Sequence, residues 1–194
     1  GEGTEVGRIR LGWGRQGIAV IDGVARYVVG TDRLRCCTAA VGEEGLSEFA
    51  ELISSGDFSQ AAGDRGIREL LKLRVRPAAI FAANDGMAIG ALSALREAGL
   101  QVPKDIAVGG FDDIAMARYV NPTLTTVHID ISALGERAAA SLLSVLRHPE
   151  RRTFTRETVA TTLVVRQSCG ARVAYGGSPF RPSAAPHFTL TAVL

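Results

Sequence analysis

Apolar and polar positions along this chain fall into alternating blocks that predict strands and helices in turn. Residues 18–21 form a short apolar run closed by Asp22-Gly23, the pattern of a buried strand. A loop to about Gly30 leads into 31–44, a helix with threonine and aspartate at its start and Gly45 at its end. Residues 52–53 read as a brief second strand running into Ser55-Gly56-Asp57-Phe58. Ser59 then caps a helix to about Leu73, with Ile67, Leu70 and Leu71 facing inward. A third strand spans 78–82; Asn84 and Asp85 interrupt it, and Met87, Ala91, Leu92 and Leu95 recur at helical spacing up to Gly99. Pro103 opens the next segment, 106–108 is a fourth apolar strand, and 114–120 is a short helix broken before Pro122. Residues 125–129 are extended, 131–147 form a long helix with Leu134, Ala138, Leu142 and Val145 on one stripe, and 158–165 are a last strand.

A helix joining two wholly apolar strands is a βαβ unit, so the expected fold is α/β, a parallel sheet with helices on both faces. No internal repeat is visible. From Gly170 onward glycine, proline and serine rise and periodicity vanishes, so 170–194 is expected to be a disordered tail.

Composition narrows the function. The 194 residues are 46% hydrophobic, enough to bury a sizeable core, and the formal net charge is only +2. So even a balance argues against a nucleic-acid surface in this portion. No apolar run reaches membrane-spanning length, and no signal-peptide core opens the chain. Cys36, Cys37 and Cys169 leave an odd thiol, and a reduced, cytoplasmic protein is the simplest fit. His128, His148 and His187 share no ligand spacing with them, so no metal and no cofactor is expected. No nucleophile elbow, phosphate-binding loop or paired histidine and nucleophile is present, and no catalytic residues are assigned.

Parallel sheets bind ligands outside the carboxyl ends of their strands. Arg33 lies in the first turn of the helix after strand one, Phe58 follows strand two, Asn84 follows strand three and Asp112 follows strand four. These four therefore line one crevice despite their separation. The chemistry suits a polyhydroxylated or purine-like molecule. A carboxylate at Asp112 accepts from two neighbouring hydroxyls, Arg33 offers a planar fork of donors, the Asn84 amide donates and accepts, and Phe58 supplies a flat wall. Each has an ordinary structural alternative: Asn84 and Asp112 as helix caps, Phe58 as core, and Arg33 as an ion-pair partner of Asp32 or Glu44. Asp85 and Asp113 are read as capping or surface residues, and His128 as a structural residue at a strand end.

The turns Ala83-Asn84-Asp85, Met87-Ala88-Ile89-Gly90, Pro103-Lys104-Asp105 and Gly110-Phe111-Asp112 also carry a resemblance, joined by Asn121-Pro122-x-Leu124-Thr125-Thr126-Val127 and Leu134-Gly135-Glu136. In that order and spacing they resemble the effector-binding domain of the lactose repressor/galactose repressor (LacI/GalR) transcription regulators, from about Gly17 to Ser168. The resemblance implies a type I periplasmic-binding-protein-like fold with one lobe complete and the other largely missing. It implies 1–16 as a remnant of the preceding lobe, 17–169 as the effector-binding domain with 125–150 crossing toward the missing lobe, and 170–194 as a tail. It implies contact with effector through Arg33, Phe58, Asn84 and Asp112. Cys36 and Cys37 stand where the family has glycine and an aromatic, a departure that bears on helix packing beneath Arg33. Val29 and Ile129 stand where the family often has polar groups, which points to a less polar effector. It further implies a homodimer, with the helix at 85–98 and the region around Tyr119 at the subunit interface. DNA would be reached only through a helix-turn-helix not in this chain. The competing function is an extracytoplasmic sugar-binding protein feeding an uptake transporter. With the partner lobe missing as the resemblance implies, the helix at 131–147 is expected to be partly uncovered and the chain alone poorly soluble or a weak binder of effector.

Overall fold

The computed structural model of the chain describes residues 17–23, 53–74, 76–148, 156–171 and 188–193. The expected helix at 31–44, and with it Arg33, Cys36 and Cys37, lies outside the described residues, as does the stretch 1–16.

Among the described residues, seven strands form a sheet in the order β2-β1-β3-β4-β5-β6-β7. They are β1 (Ile18–Asp22), β2 (Ile53–Ser55), β3 (Ala79–Ala82), β4 (Ala107–Asp112), β5 (Thr125–His128), β6 (Arg156–Val164) and β7 (Phe188–Val193). The first five run parallel to one another, whereas β6 and β7 are antiparallel additions. Regular structure therefore resumes within the stretch expected to be a tail. Phe188-Thr189-Leu190-Thr191-Ala192-Val193 alternates apolar and polar residues, a strand signal that the proline- and glycine-rich composition before it obscured.

Three helices follow the expected boundaries closely: α1 (Gln60–Leu70), α2 (Asp85–Glu97) and α3 (Ile131–Arg147). The Ser59 hydroxyl caps α1 by accepting from the Ala62 amide at 3.1 Å. Beyond α2, Gly99 adopts φ +74°, the left-handed conformation that ends a helix at little cost only for glycine. The short helix expected at 114–120 is a single 3-10 turn, Ala115–Arg118.

Strand periodicity sorts the core into two layers. Ile21, Ile80 and Val108 face α1 and α2, where they meet Ile67, Leu70, Met87, Leu92 and Leu95. Val20, Phe81, Phe111 and Val127 point the other way and meet Ile129, Leu134 and Leu163. The sheet thus carries helices on both faces, but unequally. α3 buries none of its residues; its half-covered positions include Leu134, Ala138, Ser141 and Val145, while Leu142 is 60% exposed. Leu142 was expected on the inward stripe; the helix is rotated so that Ser141 takes that place.

Candidate functional site

Strand order locates the first part of the site. The chain passes from β1 outward to β2, then crosses back to β3 on the other side of β1, so connections leave the sheet in opposite directions between β1 and β3. Such a reversal opens a crevice at the carboxyl ends of the strands. Asp22-Gly23 ends β1, Asn84 follows β3 by two residues, and Phe58 follows β2 by three, so all of them reach that edge. Asp112 is the last residue of β4 and pairs with His128, the last residue of β5, at the same edge.

Phe58 packs its ring over the end of β1. A Cβ on Gly23 would lie 2.0 Å from Phe58 Cζ, so the ring occupies the space a side chain at 23 would need. Its backbone has φ +64°, in the left-handed region that non-glycine residues seldom adopt. The residue is half-buried and packs against the core that α1 and α2 cover. Asn84 combines two roles. Its Oδ1 accepts from the Met87 amide at 2.8 Å, capping α2, and its Nδ2 donates to the Phe58 carbonyl at 3.0 Å. One N–H of the amide and a second lone pair on Oδ1 remain for a ligand. Asn84 thus fixes the Phe58 loop against α2, a link the chain pattern does not announce.

Asp112 is half-buried and also has positive φ, +112°, and Asp113 after it has φ +55°. Two consecutive aspartates in this region cost of order 1–3 kcal/mol each unless their surroundings hold them. Three of the four expected residues therefore share one rim, while Arg33 lies outside the described residues.

Two residues expected to be capping or surface groups prove to be interior. Asp85 is fully buried, its carboxylate accepting from Thr126 Oγ1 at 2.5 Å and from the Ile114 amide at 2.9 Å. A Cβ on Gly110 would come within 2.3 Å of Asp85 Oδ1, so glycine is what leaves room for this carboxylate. Burial pushes the Asp85 carboxyl up to about 6, against those two hydrogen bonds and with the charges of Asp112 and Asp113 adding to the rise. Helical phase held the clue: Asp85 shares the buried face of α2 with Ala88, Leu92 and Leu95. Asp113 is the second. Its side chain is 6% exposed and accepts from Arg166 Nη2 at 2.6 Å, with His128 Nδ1 3.1 Å from its other oxygen. His128 ends β5, with its ring half-exposed beside Asp113 at the same rim. Asp22 is also buried, and desolvation raises its carboxyl above the ordinary range despite the hydrogen bond from the Gly23 amide.

An apolar hollow lined by Ile18, Phe81, Gly109 and Cys169 lies near the opposite, amino ends of the strands, and neither Asn84 nor Asp112 borders it. Among the described residues no three potential metal ligands cluster, and no helix is long and apolar enough to cross a membrane.

Known proteins resemble this chain in sequence and fold. The chain is 37% identical over 166 residues to the HTH-type transcriptional repressor PurR of Erwinia tasmaniensis, covering 86% of this chain and 48% of that protein. The chain spans about half the length of the curated relatives it matches. Among solved structures, the transcriptional regulator CelR in complex with cellobiose superposes with TM-score 0.75 at 36% identity, over 80% of this chain and 47% of that one. A regulatory protein of the LacI family from Chloroflexus aggregans gives TM-score 0.69 at 30% identity, over 84% and 57%. With residues 9–169 matched by its model, this chain belongs to the periplasmic binding protein-like domain family, as a relative of the LacI-type transcription regulators.

Proposed function

We propose that the chain is the effector-sensing part of a LacI-type, DNA-binding transcription regulator, with 17–169 as its effector-binding unit and a sugar or purine-like metabolite as its ligand. The observation that supports this most directly is the meeting of Phe58, Asn84 and Asp112 on one carboxyl rim of the parallel sheet. A flat ring, an amide with spare capacity and a carboxylate suit hydroxyl-bearing or heterocyclic ligands, and Arg33 would add a guanidinium fork. In this reading the effector changes the orientation of two lobes and thereby the operator affinity of a homodimer, which requires unequal affinity for the two orientations. Exposed Ile114, Met116 and Tyr119 offer that dimer an apolar patch next to the site. The protein would act in the cytoplasm, reach DNA through a helix-turn-helix outside this chain, and catalyse nothing. Repressors among its relatives favour this reading over the transporter-feeding one.

A thermal-shift screen of sugars and purines, beginning with cellobiose, followed by calorimetry, tests it. Asp112→Ala should weaken binding of the best hit about ten- to hundredfold, the cost of leaving ligand hydroxyls without an acceptor. Unchanged affinity in that variant would remove Asp112 from the site.

A further inference from the structure

Arg166 lies two residues past the end of β6, far in sequence from the carboxyl rim, yet its side chain is only 12% exposed and reaches Asp113 there. Nη2 donates to Asp113 Oδ1 at 2.6 Å and Nη1 to the Leu124 carbonyl at 2.7 Å. Its backbone amide donates to Thr125 Oγ1 at 2.8 Å. Asp113 in turn donates its own amide to Thr126 Oγ1 at 3.3 Å, and Thr126 donates that hydroxyl to Asp85. Asp85 closes the circuit by accepting from the Ile114 amide. The turn Asp112-Asp113-Ile114 is thus held at Asp113 and Ile114, by Arg166 through the Asp113 side chain and by Thr126 and Asp85 through the two amides. A planar guanidinium holds its donors in a fixed fork that spans a carboxylate and a carbonyl at once; an ammonium has three donors but no such fixed geometry.

We propose that Arg166 is a positioning residue: by gripping Asp113 and the Leu124 carbonyl it holds the strained Asp112-Asp113 turn, and with it the Asp112 carboxylate, against β5. Its functional meaning rests on the assignment of Asp112 to the effector site, but its geometry does not. One consequence is mechanical. The segment leaving β6 and the rim of β4 move as one body, so a shift at Asp112 reaches the antiparallel edge of the sheet.

Hydrogen exchange by NMR on the 194-residue chain, without ligand, tests this. In Arg166→Gln the Asp113 and Ile114 amides should exchange about tenfold faster or more, while those of Ile67, Leu95 and Val108 keep their protection. The side-chain carboxyl carbon resonance of Asp112 should shift in the same variant. Should Arg166→Gln fail to fold, Arg166→Lys, which keeps the charge and loses one arm of the fork, should show the same local loss several-fold smaller. Unaltered exchange at Asp113 and Ile114, an equal loss across the whole sheet, or an unmoved Asp112 resonance would each overturn the proposal. As no ligand enters the measurement, such a failure leaves the effector assignment standing, and the calorimetric failure of Asp112→Ala leaves this one standing.

Discussion

The Asp85 carboxyl is fully buried against Gly110, with two hydrogen bonds that offset only part of its lost hydration. Its folded-state pKa of about 6 stands above the ordinary 3.8, so the folded protein holds this proton more tightly than the unfolded chain does. The resulting stability is fully present below about pH 3.8 and is lost as pH rises through about 6. A difference of that size corresponds to about 3 kcal/mol at most. Asp22, raised for the same reason, adds in the same direction. Asp57 and Asp64 are lowered and act oppositely, but Asp57 is exposed and Asp64 partly so, and surface pairs of this kind contribute little. Urea midpoints measured between pH 4 and 7 should therefore fall with rising pH, and Asp85→Asn should flatten most of that slope. If wild type and Asp85→Asn show parallel profiles, the carboxyl is not desolvated as described.

Between elements, the closest approach is that of α1 to α2. A Cβ on Gly90 would lie 1.9 Å from the Gln60 carbonyl oxygen, and one on Gly63 would lie 2.0 Å from that of Met87. Both obstacles are backbone, which cannot swing aside as a side chain would. Glycine at these two positions lets the helices touch and carries the α2 N-terminus, with Asn84 and Asp85, to the rim. Gly90→Ala should destabilise the fold by about 3 kcal/mol through overpacking. Gly135→Ala on α3 is the contrasting case, since nothing lies within 4 Å of the added carbon. There the better helix former should stabilise by about 0.5–1 kcal/mol. Equal effects at the two sites, read by denaturant titration, would contradict the packing described.

At the scale of the molecule, the sheet is unevenly covered. α1 and α2 seal one face, whereas α3 leaves Ile131, Leu142, Leu143 and Leu146 at 48–65% exposure. Apolar residues displayed together on one helix promote association. Leu142→Glu combined with Leu146→Glu should reduce light scattering at high concentration while shifting stability by no more than about 0.5 kcal/mol. A large loss of stability would mean that this face is packed within the chain itself.

Periodicity and turn chemistry were enough to define the parallel strands, the capped helices and the rim on which Phe58, Asn84 and Asp112 meet. Those features follow from local rules: apolar runs must be buried, serine and asparagine satisfy free amides, and alternating strands and helices must cross over in parallel. What local rules could not supply is which polar residues are interior. Asp85 and Asp113 look like surface carboxylates until α2 meets Gly110 and Arg166 arrives from beyond β6, because burial depends on neighbours 25 to 53 residues away in the chain. The same holds for the rotation of α3 and for the pairing of β7 with β6, which depend on surfaces that exist only once the sheet has formed.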